Sequence, residues 1–172
     1  MLSDKQFASA FAAELDAETG STRQCLERFR MELRDWKPHE RSMPMGYLAL
    51  LVAEIPLWIH IIIKDGEIDF ATYSHYEPQS TEDLTAHFEK NVIAANEILK
   101  KVEDGVLDEP FYFKRNGQLL LKTTKKESLA STINHLVHHR GQLTVYMRMN
   151  NIDVPAIYGP SADDRSFGQL EH

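Results

Sequence analysis

A chain of 172 residues with 42% hydrophobic and 26% charged side chains has the composition of one globular domain. A domain of that size buries roughly 70% of the surface its unfolded form exposes, and so needs neither a disulfide nor a structural metal. Its formal charge of −7 excludes a nucleic-acid binder that works through a basic face, and its single cysteine, Cys25, excludes an internal disulfide framework and suits a reducing compartment.

In chain order, the opening Met1-Leu2-Ser3-Asp4 lacks the basic-then-apolar pattern of a signal peptide, so a cytoplasmic protein is expected. Ser3 or Asp4 can cap a first helix whose apolar stripe is Phe7, Phe11, Leu15, Thr22, Leu26 and Phe29, with Gly20 as a point where it bends or splits. Residues 32–43 hold Pro38 and many polar groups and read as a loop. A second helix begins around Pro44 and carries Leu48, Leu51, Val52, Ile55, Ile59 and Ile62 on its inward stripe, Pro56 kinks it, and Gly66 follows its end. This is also the longest apolar stretch, but Glu54, Pro56 and His60 interrupt it before the 18 or so uninterrupted residues of a membrane span, so it reads as a core helix.

Residues 65–79 read as a long connection, and Ser80 or Thr81 caps a third helix with Leu84, Phe88, Val92, Ala95, Ile98 and Leu99 inward. The period then changes. Two apolar runs at 111–115 and 118–122 flank Asn116-Gly117, which predicts a small β-hairpin. A fourth helix runs from Lys125 to about Asn150, with Leu129, Ile133, Leu136, Leu143 and Met147 buried, and a loop tail follows. Together these predict an all-α, antiparallel four-helix bundle with a hairpin between the third and fourth helices. Residues 1–169 make a single domain and 170–172 look like a tag remnant.

Chemistry concentrates on the fourth helix. His135 and His139 are four residues apart, so they stand one above the other and can reach one ion, while Gln142 and Tyr146 continue the same polar track. Two readings stand side by side: a metal pair, or a buried histidine ladder hydrogen-bonded through Gln142 and Tyr146. Phosphate-loop, G-x-S-x-G and H-E-x-x-H motifs are absent from the sequence. Cys25 reads as a buried side chain rather than a nucleophile, His138 points away from the pair, His39, His75 and His87 read as solvated, and His60 as a core or interface histidine.

Several stretches resemble the DinB family, grouped as DinB/YfiT-like metalloenzymes. They are Asp35-Trp36-Lys37-Pro38; Ser42-Met43-Pro44-Met45-Gly46 with Leu48-Ala49, Val52-Ala53-Glu54-Ile55-Pro56 and Trp58; Asn134-His135 with His138-His139-Arg140-Gly141-Gln142-Leu143-Thr144-Val145-Tyr146 and Arg148; and Val154-Pro155-Ala156 with Tyr158-Gly159-Pro160-Ser161-Ala162-Asp163. The resemblance implies a bundle that is commonly a homodimer, in which three histidines hold a divalent metal, zinc or nickel, with positions open for water or substrate. Some relatives look like thiol-dependent transferases, and the name refers to damage-inducible genes. His135 and His139 match two of the three ligands. At the third, in the second helix, this chain has Leu51. Glu54, one turn further on, is the nearest candidate substitute, and a leucine facing two imidazoles otherwise turns an open site into a dry or hydrogen-bonded one. Two outcomes follow for the chain: a metal-dependent transferase-like or hydrolase-like enzyme, or a non-catalytic member that binds a small molecule or serves a structural role.

Overall fold

The computed structural model describes residues 3–166. Its elements in chain order are α1 (Asp4–Glu27), a single 3-10 turn (Met31–Leu33), α2 (Met45–Lys64), β1 (Glu67–Asp69), α3 (Thr81–Leu99), β2 (Pro110–Arg115), β3 (Gln118–Thr124) and α4 (Lys125–Met149). The chain is therefore predominantly helical with a small sheet. The expected tag remnant at 170–172 lies outside the described residues.

Local chemistry explains the boundaries. Ser3 caps α1 and Thr124 caps α4 through reciprocal capping boxes with Gln6 and Glu127, and Ser80 caps α3 by accepting from the Asp83 amide. Pro44 occupies the cap position of α2, where its missing N–H costs nothing. α2 is apolar on nearly every face because α3 and α4 both pack against it, which is what a core helix requires. α1 closes the core from the other side by packing on α3 and α4.

Two expectations are corrected. Gly20 does not split α1, which is continuous, because the stripe from Ala8 to Leu26 is buried on both sides of it and packing outweighs one glycine. The connection at 65–79 contains a strand: β1 pairs parallel with β2, so the hairpin is part of a three-stranded sheet in the order β1-β2-β3. Three residues are too few to show a period. Their register is instead fixed by Asp69, whose carboxylate accepts the amides of Ala71, Asn116 and Gly117 at 2.9, 3.0 and 2.6 Å and so ties the strand to the hairpin turn. Asn116 and Gly117 have φ of +51° and +74°, the left-handed pair a tight two-residue hairpin turn requires.

Two motif segments turn out to hold the fold. Arg140 is 1% exposed, and its guanidinium donates to the Glu18 carboxylate at 2.6 Å, to Ser21 and Thr22 on α1, and to the Tyr158 hydroxyl at 2.8 Å. It thereby locks α4 to α1 and to the tail. In that tail the Asp163 carboxylate accepts from Arg148 and from the Val154 amide, and the Ser161 hydroxyl donates to the Val154 carbonyl.

Candidate functional site

α2 and α4 face each other, and the segment following β1 crosses their shared edge. Between them lies a cavity of about 420 Å³, bordered by Leu51 and Trp58 from α2, His135 and His139 from α4, and Tyr73 and His75 from the β1–α3 connection. His135 also borders a neighbouring cavity of about 250 Å³, walled mainly by Ile62, Phe111 and Phe113.

The histidine pair is in direct contact. His135 Nε2 and His139 Nε2 are 2.8 Å apart, and His139 Nδ1 is 2.8 Å from Gln142 Oε1. Neutral rings satisfy both bonds when His135 Nε2–H donates to His139 Nε2 and His139 Nδ1–H donates to Gln142. Burial, then the neighbouring His139 and His138, push the His135 pKa down to about 4. Burial also lowers that of His139, against the opposing bond to Gln142. Both rings are thus held uncharged near neutral pH, with the His139 Nε2 lone pair engaged by His135. Tyr146 does not extend this ladder: its ring packs edge-on against Trp36 at 5.5 Å. His138 is exposed.

A divalent metal meets a poor donor set here. Two imidazole nitrogens converge, but the side chain opposite them is Leu51, 8% exposed and without a lone pair. Glu54 does not substitute for it. That carboxylate is 1% exposed and both oxygens are engaged, Oε2 accepting His75 Nδ1–H at 2.6 Å and Oε1 accepting the Tyr76 amide at 2.8 Å. Among the described residues no three His, Cys, Asp or Glu side chains are grouped so as to hold one ion. The residues present supply two ligands of the three that a zinc with one open position ordinarily takes, and they do not fit a three-histidine centre.

Other histidines correct the reading of the sequence. His75 is not simply solvated: it borders the same cavity as His135 and His139, anchored by Glu54. His87 is largely buried and stacked on Tyr76 at 4.1 Å, and its Nε2, 3.9 Å from Glu54 Oε1, has no hydrogen-bond partner among the described residues. Nothing periodic marks Tyr73 and His75, since they lie in a connection without regular structure. The one signal was a buried-helix glutamate, Glu54, which had to find a partner somewhere. His39 is exposed and His60 half-buried, and burial raises the Cys25 thiol to about 11, leaving it protonated and inert.

A mostly helical fold with paired histidines over a pocket between its helices defines the class. The comparisons place it further: the DinB family model matches residues 2–169, and the chain belongs to the DinB family. Two solved structures share the fold. A DinB-like protein, YjoA, from Bacillus subtilis superimposes with a TM-score of 0.64 at 22% identity, covering 91% of this chain and 99% of that one. A DinB-like protein from Bacillus cereus ATCC 10987 gives 0.64 at 23% identity, covering 87% and 97%. The uncharacterized protein YrdA of Bacillus subtilis is 53% identical over 39 residues, which is 23% of either chain.

Proposed function

We propose that this chain is a small-molecule-binding member of the DinB family whose pocket operates without the three-histidine metal centre that the family resemblance implies. The observation that carries the reading is Leu51, which puts hydrocarbon where a third nitrogen would be needed, while His135, His139 and Gln142 satisfy one another by hydrogen bonding. The cavity of about 420 Å³ is within the size range of small-ligand sites. The reading includes an antiparallel four-helix bundle, supported by the packing of α1 and α2 each on both α3 and α4. It also includes a homodimer, supported by Leu119, Leu120 and Leu121 on β3, all more than half exposed on the open edge of the sheet. Sedimentation velocity checks the dimer, and a concentration-independent monomer contradicts it.

A second reading, residual divalent-metal binding at His135 and His139, has in its favour the two Nε2 atoms that meet at one point. Elemental analysis of protein purified without a metal-affinity step separates the two. The proposal expects substoichiometric zinc and nickel with no tight uptake on titration, and one tightly held ion per chain overturns it.

A further inference from the structure

We infer that this pocket is built for a small aromatic acid that also carries a hydroxyl group, with His75 accepting the hydroxyl proton in a hydrogen bond and Arg115 pairing with the carboxylate. The inference deepens the small-molecule reading above and rests on it.

The starting point is the Glu54–His75 pair. A buried carboxylate needs strong donors, and Glu54 takes two, the Tyr76 amide and His75 Nδ1–H. The second bond fixes the imidazole: with Nδ1 committed as donor, the neutral ring carries its lone pair on Nε2. This is the arrangement that orients a histidine to receive a proton, with a carboxylate behind it. Among the described residues the one hydrogen-bond partner of Nε2 is the Tyr47 hydroxyl, at 3.5 Å, the outer limit of a hydrogen bond. Since His75 and Tyr47 both border the cavity, a ligand hydroxyl can take up the acceptor that Tyr47 barely uses.

The walls specify the rest of the ligand. Tyr47, Trp58, Phe70 and Tyr73 border the cavity, and Tyr73 and Tyr47 present rings edge-on to His75 at 4.9 and 5.4 Å. Burial, then the Glu54 charge, raise the Tyr73 phenol to about 12, so it remains a neutral wall. Tyr47 and Phe70 are 41% and 39% exposed, large rings at the border of one pocket, which favours a flat apolar body against them. Arg115, at the end of β2, borders the same cavity and forms no ion pair among the described residues. On a chain of net charge −7 a lone guanidinium at an aromatic pocket selects for an anion.

The test titrates the full chain with 4-hydroxybenzoate, benzoate and cyclohexanecarboxylate by calorimetry, in the presence of a chelator. Wild type is expected to prefer 4-hydroxybenzoate over benzoate by about tenfold and to bind the saturated ring most weakly. His75→Phe is expected to abolish the preference while leaving benzoate binding intact, and Arg115→Gln to weaken all three alike. Arg115 is exposed, but His75→Phe takes a donor from buried Glu54, so circular dichroism checks both folds, and His75→Asn, which keeps an N–H for Glu54 and lacks the Nε2 acceptor, is expected to lose the preference likewise. Equal affinity for the two benzoates, a preference that survives His75→Phe, or no binding of any probe overturns the inference. Tight zinc uptake would instead overturn the metal-free reading, so the two failures are distinguishable.

Discussion

At Leu51 and Glu54 one turn of helix separates a side chain that cannot hold a metal from one fully occupied in holding His75. His87, on the far side of that carboxylate, carries a prediction of its own. Burial pushes its pKa below the usual 6.5, and the Glu54 charge only partly offsets this. The folded chain therefore binds the proton less readily than the unfolded chain does. Its contribution is fully present above about pH 6.5 and is lost as the pH falls below that value. Urea midpoints measured between about pH 7 and about pH 5 should decline in wild type and decline less in His87→Phe. An unchanged slope in the variant would assign the acid sensitivity elsewhere. The sequence announced the pair on α4 through its four-residue spacing. It hid His75, because a residue in an irregular connection has no period, and its partner lies 21 positions away on another element.

Among the elements, two glycines in helices predict opposite outcomes. Gly20 sits mid-helix in α1 with nothing within 4 Å of an added Cβ, so Gly20→Ala should stabilise by about 0.5–1 kcal/mol in urea unfolding. Gly46, in the first turn of α2, has a would-be Cβ 2.8 Å from Arg34 Cβ and 3.0 Å from the Arg34 carbonyl oxygen. Backbone cannot yield as a flexible side-chain tip does. Gly46→Ala should therefore destabilise by about 1–3 kcal/mol, and a neutral midpoint would show that the 3-10 segment shifts freely. The helices were legible in the sequence because the apolar stripes agree with the caps at Ser3 and Ser80. β1 was not, because its pairing with β2 is non-local and is secured by one carboxylate, Asp69.

For the molecule as a whole, Arg140 separates what the family motif does for the fold from what it does for the pocket. Arg140→Ala removes the buried cation that joins α4, α1 and Tyr158 and leaves the Glu18 carboxylate with the Tyr158 hydroxyl but no cation, so it should cost about 3–5 kcal/mol by thermal or urea unfolding. A loss below about 1 kcal/mol would mean the network is solvated rather than buried. In the sequence the stretch from His138 to Tyr146 carries part of the family resemblance, with Gln142 and Tyr146 read as continuing the polar track of His135 and His139. The structure divides it: His139 borders the pocket with Gln142 hydrogen-bonded to it, Arg140 and Leu143 belong to the core, and Tyr146 to a contact with Trp36. If Leu51 is what withholds the third ligand from His135 and His139, a single substitution restores the site. Calorimetric zinc titration of wild type beside Leu51→His should then give weak, substoichiometric uptake by wild type and tight one-to-one binding by the variant, whereas tight binding by wild type, or none by a folded Leu51→His, would sink the metal-free reading.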